Sequence, residues 1–189
     1  MNKTNGNVNP LYIPDKINGD IFVDCEATGL NNPSYPISIA LKSTCGFQSQ
    51  VLIKKHQTWN GYHMDKKAIE IHRIQEQTLN DNGYNAEDVA SWLLELSKKQ
   101  KELTLYSDNP SYEAMWINHI LSVIPIVDTP NIFIGNTRNI IVQSGLSKNI
   151  DKDTFDKKFK EYRKKYPHTH DALDDLEIYV KIMQWIKSY

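Results

Sequence analysis

The sequence is poor in cysteine, in long apolar runs and in any excess of charge of one sign. Only two cysteines, Cys25 and Cys45, occur among 189 residues, which excludes a fold held together by a disulfide framework. No apolar run approaches the ~20 residues of a membrane span, and the first 20 residues lack the apolar core of a signal peptide. The composition predicts a cytoplasmic protein of a reducing compartment with no membrane partner.

The near-zero net charge argues against one mode of nucleic-acid binding. The chain has 22 Lys+Arg and 23 Asp+Glu, for a formal net charge of -1. This balance argues against a broad basic surface that neutralises many duplex phosphates. The balance conceals a local asymmetry, because residues 157–165 contain six basic residues and one acidic residue. This favours short or single-stranded partners over extensive duplex binding.

The chain divides into a short N-terminal segment and one domain. Residues 1–19 are rich in Asn, Gly, Pro and Lys, which predicts a loosely ordered lead-in to a domain over residues 20–189. Three short apolar runs separated by turn-forming residues predict strands at Ile21–Val23, Pro36–Leu41 and Gln50–Ile53. Three strands in close succession favour an antiparallel meander.

Helical periodicity then replaces the strand pattern, with two more short strands at residues 103–106 and 131–134. The predicted helices cover residues 65–79, a segment capped by Asn85, a segment after Pro110, residues 138–144 and residues 171–188. Three strands followed by alternating helices and strands predict an α/β fold with one mixed five-stranded sheet flanked by helices.

Residues 21–30 carry the first group of candidate site residues. Side chains alternate along a strand, so Asp24 and Glu26 project from one face and Cys25 from the other. Two close carboxylates repel each other and raise at least one pKa unless a cation lies between them. Directly after an apolar strand core, a hard divalent cation such as Mg²⁺ or Mn²⁺ is the natural partner. On spacing alone, an edge strand with a solvated acidic face is the alternative.

Asp108 and Glu113 form a second acidic group, where a short strand meets a helix. The helix dipole favours acidic residues at this position, so both also have a simple explanation as capping residues. By themselves they do not define a site.

His170 and Asp175 form a third group, at the start of the last helix. A histidine beside carboxylates in a first helical turn can place a general base next to a metal ligand. Five residues separate the two, so they converge only if His170 lies in the preceding loop and Asp175 points inward. Surface histidines before an acidic helix start are the alternative.

The three groups together resemble the DEDD superfamily of 3′-to-5′ exonucleases, in the His-containing, DnaQ-like branch that includes proofreading subunits, RNase T and oligoribonuclease. Residues 24–30, Asp-Cys-Glu-Ala-Thr-Gly-Leu, are similar to the first family motif. Residues 70–83 resemble the segment between motifs, and His170 followed by Asp175 matches the third motif. Their order and intervals extend over residues 20–187, so their coincidence is more specific than any one motif.

The second family motif is altered in this chain. The family has an aromatic residue followed by Asp, and Tyr112 followed by Glu113 stands at the corresponding place. Glu113 keeps the charge but adds a methylene, which displaces the carboxylate. Asp108, on the preceding turn, is a second candidate for the same role, although the position favours Glu113.

The resemblance implies an RNase H-like fold and a two-metal hydrolysis of terminal phosphodiesters that releases nucleoside 5′-monophosphates. The implied catalytic residues are Asp24, Glu26, Glu113, Asp175 and His170, with Asp108 as the alternative to Glu113. Asp24 would contact both Mg²⁺ or Mn²⁺ ions, and Glu26 and Asp175 would complete the first ion site. His170 would take a proton from the attacking water.

The implied partner is a single-stranded or short nucleic acid, RNA or DNA, with a 3′ end. The predicted contacts to its terminal nucleotide are the backbone of Ala27 and Thr28, the side chain of Leu30 as a wedge against the base, and His72. The basic run 157–165 predicts contacts to phosphates, with Tyr162 or Tyr166 stacking on a base. A solvated amphipathic helix is the alternative for this run.

Two other functions are compatible with parts of the pattern. The altered second motif allows a nucleic-acid-binding or partner-docking module on the same fold with weakened catalysis. A metal-dependent phosphohydrolase of another fold would account for Asp24 and Glu26 but would leave the spacing of His170 and Asp175 unexplained. Homodimers are frequent in the family, so a homodimer is compatible with the resemblance, although the sequence carries no dimer signature.

Overall fold

The computed structural model describes residues 9–30, 33–125 and 130–189. The predicted lead-in lies partly outside this range, because residues 1–8 are not among the described residues. Its remainder contacts the domain. The indole N–H of Trp92 donates a hydrogen bond to the carbonyl of Tyr12, and the backbone N–H of Ile17 donates to the side chain of Gln100.

A five-stranded mixed sheet forms the centre of the domain. Its strands are β1 (Ile21–Ala27), β2 (Pro36–Ser43), β3 (Gln48–Leu52), β4 (Leu103–Ser107) and β5 (Ile132–Asn136). The order across the sheet is β3-β2-β1-β4-β5. The pairs β1–β2 and β2–β3 are antiparallel, whereas β1–β4 and β4–β5 are parallel. The predicted α/β class and the antiparallel meander are confirmed.

The helices are α1 (Lys66–His72), α2 (Glu76–Asn82), α3 (Ala86–Gln100), α4 (Pro110–Leu121), α5 (Thr137–Ser147), α6 (Lys152–Lys165), α7 (Ala172–Asp175) and α8 (Glu177–Ser188). The single helix predicted over residues 65–79 is wrong, because Arg73 has a left-handed backbone with φ 60° that ends α1. The helix predicted over residues 171–188 is interrupted at Leu176. No helix in the described ranges is long and apolar enough to cross a membrane.

Strand β1 divides its side chains between two apolar cores on opposite faces of the sheet. Ile21 and Val23 belong to the core that contains α3 and α4, and Cys25 packs against it. Phe22 belongs to the core that contains α7 and α8. Because side chains alternate along a strand, Asp24 and Glu26 lie on the Phe22 face. The third candidate group, at α7, packs against this same face.

Candidate active site

Three carboxylates from two elements meet near the carboxyl end of β1. Ligand oxygens of Asp24, Glu26 and Asp175 all lie within 4.8 Å of one another. Asp24 and Glu26 reach this point from β1, and Asp175 reaches it from the short helix α7, which packs on β1 and β2. The fold therefore brings the first and third candidate groups together.

A tight loop before α7 surrounds the Asp175 carboxylate. This carboxylate is buried and accepts hydrogen bonds from the backbone N–H of Thr169 at 2.7 Å and of His170 at 3.0 Å. His170 has φ 59°, a left-handed conformation that turns the loop back on the helix. The loop position of His170 and the inward direction of Asp175, the two conditions for their convergence, are both observed.

His168 is a member of this cluster to which the sequence analysis assigned no role. Its Nδ1 lies 2.8 Å from Oδ2 of Asp175, and its ring centroid is 4.1 Å from that of His170. Ligand atoms of His168, His170 and Asp175 also lie within 4.8 Å of one another. The His-x-His pair before an acidic helix start is the sequence signal that would have identified it.

Glu113 lies in the first turn of α4 and is only 3% exposed. The hydroxyl of Ser107 donates a hydrogen bond to its Oε2 at 2.8 Å. The Ser107 oxygen also accepts the backbone N–H of Asn109 at 2.9 Å, so the turn between β4 and α4 fixes the carboxylate. Burial raises the pKa of Glu113 to about 7, although the bond from Ser107 opposes the rise. The position of Ser107, six residues earlier, gave no sequence signal.

Asp108, the alternative to Glu113, lies on the same turn but is exposed. The hydroxyl of Tyr179 donates a hydrogen bond to its Oδ2 at 2.9 Å. The charges of Asp108 and Glu113 both contribute to the raised pKa of Asp24. Both candidates for the second motif therefore lie within electrostatic reach of the cluster.

The carboxylates of the cluster disfavour one another's charges. Desolvation, followed by repulsion from the four neighbouring carboxylates, raises the pKa of Asp24 from 3.8 to about 9. Desolvation, followed by the charge of Asp175, raises the pKa of Glu26 to about 7. A divalent cation would offset this repulsion, and hard oxygen donors suit a hard cation. The residues present therefore fit a divalent metal site.

The loop that follows β1 is fixed by two backbone–backbone hydrogen bonds and one bond to a side-chain hydroxyl. Thr28 donates its N–H to the carbonyl of Tyr35 at 2.9 Å, and the N–H of Tyr35 donates to the Thr28 hydroxyl at 3.0 Å. The N–H of Asp65 donates to the Thr28 carbonyl at 2.7 Å. Just beyond this anchor, Leu30 is 69% exposed. The loop thus presents an apolar side chain from a rigid base.

His72 is buried at the end of α1 and faces the same region. Its Nδ1 accepts the backbone N–H of Ile74 at 3.0 Å. Burial lowers the pKa of His72; the backbone carbonyl of Ala27, an acceptor for the imidazole, opposes this effect, and the charge of His170 adds to it. His72 therefore lies beside the loop after β1 and within electrostatic reach of His170.

The basic run forms helix α6. Its aromatic side chains, among them Tyr162, pack against the core that contains α8, and so does Tyr166, the residue that follows the helix. The ammonium group of Lys158 lies over the Tyr162 ring, 4.7 Å from its centroid, so a nucleic-acid base would have to displace Lys158 in order to stack there. Among the described residues, Arg163 and Lys164 in the last turn have no ion-pair partner.

Comparison with known proteins identifies the family. The sequence model of the exonuclease family of RNase T matches residues 21–183. This chain belongs to the RNase T family of exonucleases. The membership of an exonuclease family predicted from the three motifs is confirmed.

Solved structures of exonuclease I share the fold of this exonuclease-family domain. Escherichia coli exonuclease I in complex with a dA16 oligonucleotide has 16% sequence identity and a TM-score of 0.62, over 89% of this chain and 40% of that chain. The zinc-bound E. coli enzyme in complex with single-stranded DNA has 15% identity and a TM-score of 0.61, over 90% and 41%. Exonuclease I from Methylocaldum szegediense has 12% identity and a TM-score of 0.62, over 89% and 40%.

The family domain therefore spans about 40% of the length of these exonuclease I chains. The likeness confirms the predicted RNase H-like fold with its five-stranded mixed sheet. No protein with a curated functional description matches the sequence.

Proposed function

We propose that this domain is a metal-dependent 3′-to-5′ exonuclease that hydrolyses the terminal phosphodiester of single-stranded or short nucleic acid. The products would be nucleoside 5′-monophosphates. The observation that carries the proposal is the convergence of Asp24, Glu26 and Asp175 within 4.8 Å, with His170 on the loop that encloses Asp175. Membership of an exonuclease family supports the reaction class.

The carboxylates would hold two divalent ions, Mg²⁺ or Mn²⁺. Asp24 would contact both ions, with Glu26 and Asp175 at the first and Glu113, assisted by Asp108, at the second. When bound, the ions stabilise the charge that develops on the attacking and leaving oxygens. The oxygen donors and the raised pKa values of Asp24, Glu26 and Glu113 support this assignment.

His170 acts as the general base and takes a proton from the attacking water. Its backbone N–H is bonded to Asp175 and its φ is left-handed, so the loop holds the imidazole at the edge of the carboxylate cluster. His168 orients the same carboxylate through its Nδ1. The two histidines thus have different roles: His170 moves a proton, and His168 fixes Asp175.

The terminal nucleotide is held by the loop after β1. The backbone of Ala27 contacts its sugar and phosphate, and the exposed side chain of Leu30 wedges against its base. Thr28, predicted as a second backbone contact, is buried, with its N–H bonded to Tyr35 and its carbonyl to Asp65, so its part is to fix the loop, which His72 also supports. The rest of the strand passes the last turn of α6, where unpaired cations attract its phosphates. Base stacking on Tyr162 would require Lys158 to leave the ring. The oligonucleotide complexes of exonuclease I support single-stranded DNA as the first substrate to test.

The test is the degradation of a 5′-labelled single strand with Mn²⁺. The wild-type protein should shorten the strand from its 3′ end and release mononucleotides, and EDTA should stop the reaction. His170→Ala should reduce the rate by at least about 100-fold, the usual contribution of a general base. Asp88→Asn, an exposed carboxylate of α3 outside the cluster, is the matched control and should keep full activity.

Two results would contradict the proposal. Full activity of His170→Ala would remove the assigned base, and an intact strand that is nevertheless bound would favour a nucleic-acid-binding module. Ribo- and deoxyribo-oligomers of the same sequences and lengths, run in parallel, determine the substrate class. A cytoplasmic location and a homodimer stay predictions.

A further inference from the structure

Tyr179 connects the last helix to the turn of the second motif. Its hydroxyl donates a hydrogen bond to Oδ2 of Asp108 at 2.9 Å, across 71 residues of sequence. The phenol hydroxyl is the donor of this bond, because a carboxylate oxygen accepts hydrogen bonds. Among the described residues, Tyr179 is the hydrogen-bond partner of the Asp108 side chain.

The ring of Tyr179 is held independently of its hydroxyl. It lies against Phe22, with ring centroids 5.8 Å apart. Phe22 is fully buried and precedes Asp24 by two residues on the same face of β1. Because the ring is fixed against this strand, the hydroxyl has a defined position beside the carboxylate cluster.

Tyr179 lies four residues after Asp175, beyond the interruption at Leu176. Asp175 ends α7, and Tyr179 lies in the first turn of α8. The N–H of Val180 is bonded to the carbonyl of Leu176, so the two short helices follow each other directly. Asp175 reaches the carboxylate cluster from α7, and Tyr179 reaches Asp108 from α8.

Asp108 lies on the same fixed turn as Glu113. Its neighbour Ser107 donates a hydrogen bond to Glu113 and accepts the backbone N–H of Asn109, so the turn holds the two acids in a defined relation. Asp108 is exposed, whereas Glu113 is buried and bonded to Ser107. Two carboxylates on one turn, one buried and one exposed, suit an inner and an outer ligand of the same ion.

We propose that Tyr179 is a positioning residue that holds Asp108 as the outer ligand of the second divalent ion. The inference rests on the proposed function, because it assumes a second ion at Glu113. Removing the hydrogen-bond partner of a metal ligand typically lowers the metal affinity by about 10- to 100-fold. The hydroxyl contributes through Asp108 and does not contact the reacting atoms.

The experiment measures Mn²⁺ binding by isothermal titration calorimetry, without nucleic acid. Tyr179→Phe removes the hydroxyl and keeps the ring on Phe22. Tyr106→Phe is the matched control, because the Tyr106 ring also lies against Phe22, with centroids 6.1 Å apart. Desolvation and the charges of Asp20 and Glu102 raise the pKa of Tyr106; neither acid belongs to the cluster.

We expect Tyr179→Phe to lower the affinity of the second Mn²⁺ site about 10-fold and to leave the affinity of the first site unchanged. Its melting temperature in EDTA should equal that of Tyr106→Phe. Asp108→Asn should give the same loss, and the double variant should lose no more than Asp108→Asn alone. If the protein cleaves oligonucleotides, saturating Mn²⁺ should restore the kcat of Tyr179→Phe, which a general loss of folding would not allow.

Three outcomes would overturn the inference: wild-type protein that binds fewer than two Mn²⁺ ions, Tyr179→Phe that binds both normally, or additive losses in the double variant. Failure of the proposed function is a separate result. It would appear as the expected binding pattern without any cleavage of RNA or DNA.

Discussion

Replacing Asp24 by Asn should stabilise the metal-free protein at alkaline pH, although it removes a central metal ligand. In the folded protein, burial and neighbouring carboxylates raise the pKa of Asp24 from 3.8 to about 9. A carboxyl group with a raised pKa contributes its full stability below pH 3.8 and loses it as the pH rises towards 9. The Asn side chain has no proton to lose, so the variant escapes this loss.

The size of the effect follows from the pKa. Each pKa unit corresponds to about 1.4 kcal/mol, and pH 8 lies about four units above the ordinary value. The upper bound on the stabilisation at pH 8 is therefore about 6 kcal/mol. We expect about 2–4 kcal/mol, because Glu26 and Glu113 share the repulsion and readjust when Asp24 is neutral. At pH 4 the two proteins should be almost equally stable.

The assay is urea unfolding in EDTA at pH 4, 6 and 8, followed by circular dichroism. Asp88→Asn, which removes an exposed charge of α3 outside the cluster, is the control and should change stability by no more than about 0.5 kcal/mol. A second titration with saturating Mn²⁺ should stabilise the wild type and leave Asp24→Asn nearly unchanged, because the variant has lost the ligand.

A variant less stable than wild type at pH 8 in EDTA would refute the reasoning, because the Asp24 charge would then stabilise the fold. A stabilisation of equal size at pH 4 and pH 8 would also refute it. The gain would then come from packing or hydrogen bonding of the amide and not from the ionisation of Asp24.

Three further predictions concern the rest of the site. Ser107→Ala should lower the free energy of unfolding at pH 8 by about 1.5–3 kcal/mol, as expected for a lost hydrogen bond to a charged group; an unchanged urea midpoint would contradict the role of Ser107 in fixing Glu113. Mn²⁺ affinity measured by calorimetry should rise between pH 6 and pH 8, because Asp24, with a pKa of about 9, and Glu26 and Glu113, with pKa values of about 7, must lose protons to bind the ions; a constant affinity with no proton release would exclude all three as ligands. Reversing two charges of α6, in Arg163→Glu/Lys164→Glu, should weaken single-strand binding and reduce the salt slope by about 1.4; Lys152→Glu, at the opposite end of α6 and already paired with Asp156, should leave the slope unchanged.

Local patterns predicted the strand elements of the site. Side-chain alternation along β1 predicts that Asp24 and Glu26 lie on one face, and this prediction needs no tertiary contact. The short spacing of the first three strands predicts the meander. The helices were less predictable. The pattern over residues 65–79 suits one helix, but Arg73 adopts a left-handed backbone that helix propensity does not anticipate for a residue other than Gly.

Contacts between residues far apart in the sequence could not be predicted from motif spacing. The bond between Tyr179 and Asp108 joins two side chains 71 residues apart, and the left-handed His170 depends on the hydrogen bonds of Asp175. The basic run predicted a phosphate contact and an aromatic stack. The structure leaves the cations of the last turn exposed and packs the aromatic rings against α8.

The sequence by itself determined the family, the strand order of the meander and the carboxylates of β1, because these depend on neighbouring residues and on motif spacing. Only the tertiary structure decided which acids share a cluster, that Glu113 is buried while Asp108 is exposed, and how far the pKa of Asp24 rises. These properties depend on desolvation and on charges from separate elements, which arise only when β1, α4 and α7 pack together.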